Sequence, residues 1–345
     1  MNKATDKISI NYGIKVFNEF NEALRQEWDS LYAKGANYNL SFKWCQLWFK
    51  YFKRKRDIYI ITFWEDNDLK LLAPFYIYRN RLSLIGTKPD LYDEFNILYS
   101  SPKYIDKLLE FIEQNKFEIN FKHLSSDTEF AKILIKRFSG HGVKQISGIT
   151  ETKPHIKISA PLNKNAISDV KRCKKNAQKY FKQDIIFNYS AERKEEYIKE
   201  FIAFHKQRWN GGMLVKKAYL VNFIEEILKD PDLTVLSRAS FSEDNITLAF
   251  GLGYLDSNKR YWLSMSVYNA KYNKVSPGKV MLYDLITESF NRGISHFDFG
   301  RGSEPYKSWF SNGESILFNI ETYNSKIFVI KILNLIGKIL KKISG

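Results

Sequence analysis

The sequence has 345 residues, 44% of them hydrophobic, so it can form two domains with packed cores and is not a disordered chain. Its 54 lysines and arginines against 38 acidic residues give a net charge of +16, which favours a phosphate-bearing molecule, a nucleic acid or an acidic membrane surface as partner. Two cysteines exclude a disulfide framework, and without a signal-peptide or membrane-spanning run the sequence predicts a cytoplasmic protein.

The first half of the chain predicts a mixed α/β domain. Apolar residues recur at helical spacing in four segments, at 19–33, 41–53, about 102–115 and 127–138. Strand-like runs occupy 57–64, 69–78, 81–86 and the region near 117–123. Ser41 is the expected N-cap of the second helix, and the turn residues 65–68 predict a hairpin between the first two strands.

A lysine-rich helix at 169–182, capped by Ser168 or Asp169, marks the predicted domain boundary. The second half then reads as a strand at 184–189 and helices at 192–208 and 218–229. The remaining predicted elements are three strands at 233–241, 245–255 and 260–268, a helix at 278–291 and a strand at 294–299. These patterns predict an N-terminal domain over 1–160 and a C-terminal domain over 161–325.

The tail, 326–345, predicts a basic amphipathic helix. Its apolar residues gather on one side of a helical projection, and Lys331, Lys338, Lys341 and Lys342 gather on the other. Such a helix can lie on an anionic membrane through residues 326–343, or pack on the domain or on a partner.

The start of the helix near residue 278 predicts a phosphate-binding site. Ser276, Pro277, Gly278 and Lys279 stand where a helix N-terminus offers unpaired N–H groups and a partial positive charge. Gly278 lets the backbone approach a ligand closely, and Pro277 suits the first helical turn. Alone, the same residues are also those of an ordinary capped helix start.

A second polar cluster, in the segment FDFGRGSEPYKSWF at 297–310, follows the next predicted strand. Ligands of open α/β sheets collect beyond the carboxyl ends of strands. The two clusters flank one helix, so the phosphate site and the reactive groups are expected to meet at one edge of the sheet.

Four segments carry a resemblance to a known family: FHKQRW (204–209), LAFGLGY (248–254), VSPGKVMLYDLI (275–286) and RGISHFDFGRGSEPYKSWF (292–310). Over roughly residues 17–312 the chain resembles the CelD/BcsL-type acyltransferases of the Gcn5-related N-acetyltransferase (GNAT) superfamily. The resemblance implies an α/β fold with a mixed α+β sheet, made of tandem GNAT-like domains, the first degenerate and the second functional. The usual Q/R-x-x-G-x-G/A turn of the superfamily is reduced here to Gly278.

The resemblance also reaches the Fem-type ligases, which transfer amino acids from aminoacyl-tRNA to cell-wall precursors. Those enzymes have a basic helix between their domains, similar to 169–182, and a lysine–aromatic ending similar to YKSWF.

Acyl transfer to an amine needs a neutral amine, a polarised carbonyl and close placement of the two. The candidate catalytic residues are Asp298, Lys307, His205 and Tyr306, and the candidate substrate contacts are Arg301, Glu304 and Trp209. Asp298 is a candidate base or acceptor-orienting group, or else a cap of the Gly300–Gly302 turn.

The other candidates also keep a structural alternative. His205 is a base or a structural histidine, and Tyr306 a proton donor to the departing thiolate or a core residue. Lys307 and Arg301 bind phosphate or developing negative charge, or are surface cations. Glu304 contacts the acceptor or forms a salt bridge.

Together with these residues, the family resemblance implies an N-acyltransferase that uses acetyl-CoA or another acyl-CoA. Its acceptor would be an amino sugar or nucleotide-sugar of bacterial envelope polysaccharide biosynthesis, a phosphate-bearing small molecule or glycan. The alternatives are a Fem-like transferase that binds tRNA partly through 171–182, and a membrane-associated scaffold without activity. No spacing predicts a metal site, and the expected location is the cytoplasm, including the inner face of the membrane.

Overall fold

The computed structural model describes residues 12–87, 93–138, 151–157, 162–208 and 218–322. Trp209 and the predicted tail helix at 326–345 lie outside these residues. The described chain divides into two compact units. The first comprises residues 12–31, 54–87, 93–138 and 317–322, and the second comprises 32–53, 151–157, 162–208 and 218–316.

The bounds of these units differ from the predicted boundary at residue 160. Residues 32–53 and 151–157 precede that boundary but belong to the second unit, and residues 317–322 follow the second unit yet belong to the first. Each unit therefore contains segments that are far apart in sequence, which local hydrophobic patterns cannot reveal.

The described helices are α1 (Glu22–Tyr32), α2 (Phe42–Phe52), α3 (Lys103–Gln114), α4 (Glu129–Phe138), α5 (Lys164–Phe181), α6 (Glu195–Arg208), α7 (Ala218–Leu228), α8 (Pro277–Asn291) and α9 (Pro305–Phe310). Short 3-10 helices occupy Tyr38–Leu40 and Ala270–Val275. The described strands are β1 (Tyr12–Phe17), β2 (Asp57–Glu65), β3 (Asp68–Tyr78), β4 (Arg81–Leu84), β5 (Leu98–Tyr99), β6 (Glu118–Ser125), β7 (Glu151–Lys157), β8 (Ile185–Asn188), β9 (Val235–Phe241), β10 (Thr247–Leu255), β11 (Arg260–Tyr268), β12 (His296–Asp298) and β13 (Gly313–Glu321).

The first unit contains a mixed sheet in the order β1-β2-β3-β4-β6, with residues 317–321 of β13 next to β6. Only the β4–β6 pair is parallel among these described pairings. The predicted hairpin is confirmed: Asp66 and Asn67 have φ of 53° and 65° between β2 and β3, as a two-residue turn of matching twist requires. Ser41 caps α2 as predicted, accepting a hydrogen bond from the Trp44 N–H.

The second unit contains the sheet β7-β12-β11-β10-β9-β8, in which the β11–β12 pair is parallel. α8 and α5 pack on one face through a buried apolar cluster that includes Val170, Met281 and Phe297. α6 lies against the sheet through Phe201, whose ring meets that of Phe250. The predicted mixed α/β fold is confirmed.

Two features open the sheet next to α8. The parallel pairing of β11 with β12 ends at Trp262 and Asp298, although β11 continues to Tyr268. Between Leu252 and Gly253 the β10–β11 register shifts by one residue, which leaves Ser264 as the extra residue of a bulge. Bulges bend a strand and redirect its side chains, so the end of β11 is free to diverge from β12.

The sequence patterns did not predict β1, β5 and β13, and the expectations for α5, β7 and α9 also need correction. α5 begins at Lys164, and its cap is Asn163, whose side chain accepts from the Asn165 N–H; Ser168 and Asp169 lie inside the helix. The sequence reading also missed β7, which contains a proline and no alternating pattern, and α9, which has only six residues. Within the described residues no helix is both long and apolar enough to cross a bilayer.

Candidate active site

The predicted phosphate-binding residues form the first turn of α8. Ser276 precedes the helix in a left-handed conformation, with φ 46° and ψ 58°, and Pro277 follows as its first residue. The Ser276 side chain makes no capping hydrogen bond, while its carbonyl accepts from the N–H groups of Lys279 and Val280. Because no side chain caps this helix start, the N–H groups of its first turn and its partial positive charge remain directed at the space in front of the helix.

A cleft of about 310 Å³ lies in front of this helix start, and we call it the helix-start cleft. Its lining comes from α6, β11, the 3-10 helix at Ala270–Val275, α8 and α9. The lining residues are Arg208, Ser266, Tyr268, Asn273, Ser276, Pro277, Gly278, Lys279, Leu282, Tyr306, Trp309 and Phe310. The structure therefore brings Tyr306 together with all four predicted phosphate-binding residues. The cleft lies in the range of small-molecule sites.

Gly278 keeps this cleft open at its helix side. A Cβ added to Gly278 would lie 3.2 Å from the Tyr268 ring, a distance at which the ring must shift. Glycine is thus favoured here by the close approach of the Tyr268 ring on β11, and the predicted close approach of a ligand to Gly278 stays a prediction.

Arg208 is a cleft residue that the sequence reading did not select. Its guanidinium donates to the Ser266 carbonyl at 3.0 Å and stacks on Tyr268, 5.0 Å from the ring centroid. These contacts direct the final residue of α6 towards β11 and place a positive charge in the lining. The only signal in the sequence was its position in the segment FHKQRW.

Lys279 is less available than its position suggests. Its ammonium donates to the Asp169 carboxylate of α5 and lies 3.6 Å from the centroid of the Trp309 ring. Hydrogen bonding to Lys279 lowers the pKa of Asp169. An anion in the cleft would have to compete with Asp169 for this cation, so Lys279 ties α5, α8 and α9 together around the cleft.

α9 separates the helix-start cleft from a second one. Tyr306, Trp309 and Phe310 are spaced as one helical face and line the first cleft. Glu304 and Lys307 line the second, a cleft of about 340 Å³ beside β7 and the start of β13, which we call the loop cleft. The segment 297–310 therefore does not serve a single site: Tyr306, Trp309 and Phe310 line one cleft, and Glu304 and Lys307 line the other.

Lys307 is buried, and its contacts hold the loop before α9 in place. Its ammonium donates to the carbonyls of Gly300 and Arg301 and pairs with Glu304 at 2.8 Å. Partial burial raises the pKa of Glu304, but the hydrogen bond from Lys307, a backbone hydrogen bond and the charges of Lys307 and Arg208 together outweigh it, so the pKa is lowered overall. Three acceptors thus hold the lysine, and it fixes the path of residues 300–304.

Asp298 is completely buried at the end of β12. One carboxylate oxygen accepts from the Lys153 ammonium at 2.5 Å, and the other accepts from the Gly300 N–H at 2.9 Å. The second contact is the turn cap that the sequence allowed as the alternative to a base. Asp298 lines neither the helix-start cleft nor the loop cleft.

Lys153, on β7, was not expected from the sequence because β7 itself was not predicted. It is 1% exposed, and its ammonium lies 4.3 Å from the Trp262 ring centroid. A buried lysine needs a compensating charge, and Asp298 supplies it across the β7–β12 pairing.

Two stacked histidines accompany this ion pair. The rings of His155 and His296 lie 4.6 Å apart. Burial, aided by the Arg260 charge, lowers the pKa of His296 to about 2, so its 4.0 Å contact with Asp298 is not an ion pair at neutral pH. The cluster therefore holds one charge pair beside the neutral imidazole of His296.

His205 lies one helical turn before Arg208 on α6. Burial lowers its pKa to about 4, and the Arg208 charge adds to the effect. The imidazole is therefore neutral at physiological pH. It does not line the helix-start cleft, and its predicted role as a base stays a prediction.

Of the other predicted residues, Arg301 accepts a hydrogen bond from the Lys307 ammonium through its carbonyl, and its side chain lines neither cleft. Trp209 is outside the described residues. Among the described residues, no group of three or more His, Cys, Asp and Glu side chains is placed to hold a metal ion.

Comparison with known proteins identifies the part of the chain that contains the helix-start cleft. Residues 168–308 match the family model described as acetyltransferase (GNAT) domain. The match includes α8, β11 and all but the last two residues of α9. The chain therefore contains a GNAT-type acyltransferase domain. A search of curated proteins gave no significant sequence match.

Solved structures share the fold along most of the chain. The crystal structure of FemX has a TM-score of 0.59 at 13% identity, with 89% of this chain and 98% of that chain covered. L-PGS from Bacillus licheniformis gives 0.57 at 11% identity, with 90% and 96% covered. The C-terminal domain of a putative lysylphosphatidylglycerol synthetase from Agrobacterium fabrum gives 0.55 at 9% identity, with 87% and 92% covered. Identities this low establish the fold alone.

Proposed function

We propose that the protein is an N-acyltransferase that takes its acyl group from acetyl-CoA or another acyl-CoA bound in the helix-start cleft. The observation that carries the proposal is the meeting of a glycine-bearing helix start, Arg208 and Tyr306 in one cleft of the matched GNAT domain. An acyl-CoA supplies an activated thioester and a phosphate-rich handle.

The residues present fit such a donor. The positive end of α8 and the Arg208 guanidinium suit a pyrophosphate. Gly278 lets the ligand come close to the helix backbone. A Cβ at this position would lie 3.2 Å from the Tyr268 ring and would narrow the space between them. The pairing of β11 with β12 ends at Trp262, and the rest of β11, which includes Ser266 and Tyr268 of the cleft lining, has backbone beside the cleft that can orient a chain-like ligand.

Tyr306 is the proposed proton donor at the departing sulfur, since it is the phenol in the lining that comes from α9. Asp298 acts here as a positioning residue: its contacts with Lys153 and Gly300 hold the turn that leads to α9. Lys307, Glu304 and Arg301 shape the same loop, with Glu304 and Lys307 facing the loop cleft.

The proposed acceptor is an amino sugar or nucleotide-sugar of bacterial envelope polysaccharide biosynthesis, as in the CelD/BcsL-type group that the sequence resembles. The net charge of +16 suits a phosphate-bearing acceptor as well as donor. The proposed location is the cytoplasm or the inner face of the membrane.

The first test is calorimetric titration of the purified protein with acetyl-CoA. We expect micromolar binding that Gly278→Trp weakens at least about a hundredfold, because the indole fills the cleft. Ile135→Trp, at an exposed position on α4 in the first unit, is the matched control and should bind like the parent protein. Equal binding by Gly278→Trp, or none by the parent, contradicts the donor assignment.

A Fem-like aminoacyl transferase is the second candidate, favoured by the fold similarity to FemX over 89% of the chain and by the basic surface of α5. Lys171, Arg172, Lys175 and Lys179 are exposed on that helix. This candidate predicts tRNA binding whose affinity falls steeply as the salt concentration rises. The affinity should also fall when Lys171 and Lys175 are replaced by uncharged residues. Acetyl-CoA binding without tRNA binding would select the first candidate.

A further inference from the structure

The first unit contains a cleft of its own, formed by residues outside the matched GNAT domain. It has a volume of about 540 Å³ and is lined by Arg54, Lys55, Arg56, Tyr76, Tyr78, Arg81, Ser83 and Asn120. We call it the basic cleft. All of its lining residues belong to the first unit, and the transfer reaction described above uses none of them.

The sheet register explains why these side chains meet. Tyr76 lies opposite Ser83, and Tyr78 lies opposite Arg81, across the β3–β4 pair. Arg81 in turn lies beside Glu118 in the parallel β4–β6 pair, so Asn120, two residues further on, points to the same face. The alternate residues carry the apolar core on the other face, where Phe75 and Phe121 stack at 5.3 Å.

The lining of the basic cleft is polar and positive. The lining has four cationic residues and, among the eight residues described, no acid. Arg81 is held by Glu118 through its Nε and Nη2 atoms, at 3.1 and 2.8 Å, which fixes the guanidinium at the edge of the cleft. The Arg56 guanidinium lies 5.2 Å from the Tyr76 ring centroid. Guanidinium groups match the geometry of phosphate oxygens.

Asn120 is the feature that a structural role does not explain. The residue is 6% exposed, and its buried amide oxygen has no hydrogen-bond partner. A buried acceptor without a donor costs free energy that the fold must offset elsewhere. A ligand that brings an N–H or O–H group to Asn120 would remove this cost.

We propose that the basic cleft binds an organic phosphate whose non-phosphate part has a ring and an N–H or O–H donor. The phosphate contacts Arg54, Lys55 and Arg56, the ring lies against the tyrosines, and the donor reaches Asn120. Nucleotides and sugar phosphates both have this chemistry. The inference does not depend on the proposed acyl transfer, because the lining residues of the basic cleft and the variants that test it are separate from those of the helix-start cleft.

The experiment is a calorimetric titration of the full-length protein at low salt, carried out separately with UMP, glucose 6-phosphate and inorganic phosphate. We expect at least one organic phosphate to bind roughly tenfold or more tightly than inorganic phosphate, since the latter lacks the ring and the donor to Asn120. The tighter of the two organic probes identifies the source as nucleotide or sugar phosphate.

Two variants locate the binding. Asn120→Leu should weaken binding of the organic phosphate roughly tenfold. It should also raise the melting temperature of the free protein, because it removes an unsatisfied buried oxygen. Lys55→Glu, at an exposed position, should weaken all phosphate probes by about tenfold or more. Lys136→Glu, on exposed α4 surface of the same unit, is the matched control and should bind normally.

Absence of organic phosphate binding by the parent protein would overturn the proposal. So would binding that Asn120→Leu and Lys55→Glu leave unchanged, because the phosphate would then lie elsewhere. If acetyl-CoA fails to bind while UMP or glucose 6-phosphate binds and responds to these variants, the acyl-CoA assignment fails and this site stands.

Discussion

The Lys153–Asp298 pair decides how the most conspicuous acid of the sequence should be interpreted. Both side chains are buried, at 1% and 0% exposure, and the ammonium and carboxylate are 2.5 Å apart. Removing one partner of such a pair leaves an uncompensated buried charge, whereas removing both can be nearly neutral. The pair therefore offers a way to separate a positioning role of Asp298 from a role in proton transfer.

We expect Asp298→Asn to lower the free energy of unfolding by about 3–5 kcal/mol, measured by urea denaturation. The double variant Lys153→Met/Asp298→Asn should recover much of that loss. If the double variant is folded and retains acyl transfer, Asp298 is not the base. Recovered stability with no activity, and unchanged donor affinity, would restore the base assignment.

His205 makes a separate prediction about pH. Its folded-state pKa is about 4, below the ordinary value of 6.5, so between these values the unfolded chain binds more protons than the folded protein. Stability from this group is complete above pH 6.5 and is lost as the pH falls towards 4, by at most about 1.4 kcal/mol per pH unit.

His205→Gln should therefore flatten the decline in unfolding free energy between pH 6.5 and 4.5. The measurement is urea denaturation at several pH values for the parent and the variant. Some slope will remain, because His296 also has a lowered pKa. Identical slopes for the two proteins would show that His205 is not buried as the structure has it.

At the level of elements, the helix-start cleft depends on three helices joined by one lysine. Lys279 of α8 pairs with Asp169 of α5 and lies on the Trp309 ring of α9. The carboxylate and the ammonium are about four-fifths buried, with side-chain exposures of 16% and 22%. Such a pair is screened less than a surface salt bridge.

A double-mutant cycle with Lys279→Met and Asp169→Asn should therefore give a coupling free energy of about 1 kcal/mol or more. Lys279→Met should also change the fluorescence of the tryptophans, because Trp309 loses its cation. The exposed pair Lys199–Glu195 on α6 is the control and should couple by under about 0.5 kcal/mol. Equal coupling in both pairs would mean that Lys279 does not hold the three helices together.

Elements with a strong local pattern were predictable, and those made by pairing were not. The β2–β3 hairpin and α8 follow from turn residues and from a capped apolar periodicity. β7 lacks such a pattern, and it pairs with β12, a strand that is far from it in the sequence. Since β7 was missed, Lys153 was missed too, and the sequence could not show that Asp298 has a buried cationic partner.

The candidate site shows the same division. The residues 276–279 and Tyr306 could be brought together from the sequence because they flank one helix. Arg208 and Tyr268 could not, because they come from α6 and β11 and meet the cleft only after the sheet has formed. Residues that share a motif can also separate in space, as Tyr306 and Lys307 do on opposite faces of α9.

At the scale of the whole molecule, the unit that contains the GNAT match is completed by residues 32–53. Tyr38 is 3% exposed, and its ring stacks on Tyr254 with centroids 4.0 Å apart. The Trp262 ring meets it edge-on at 5.7 Å, and Lys50 of α2 pairs with Glu226 of α7 at 2.7 Å. The matched domain, 168–308, is therefore not the folding unit.

Tyr38→Ala tests this dependence in the full-length chain. Losing a buried, stacked ring should lower the unfolding free energy of the second unit by about 3–5 kcal/mol and weaken acetyl-CoA binding at temperatures where the parent is folded, although Tyr38 lines neither of its clefts. Tyr180→Ala, at a position 48% exposed on α5, should change stability by less than about 0.5 kcal/mol. Denaturation and limited proteolysis measure both variants. If Tyr38→Ala were no more sensitive than Tyr180→Ala, the second unit would hold together without residues 32–53, and a domain cut close to the GNAT match would be the true folding unit.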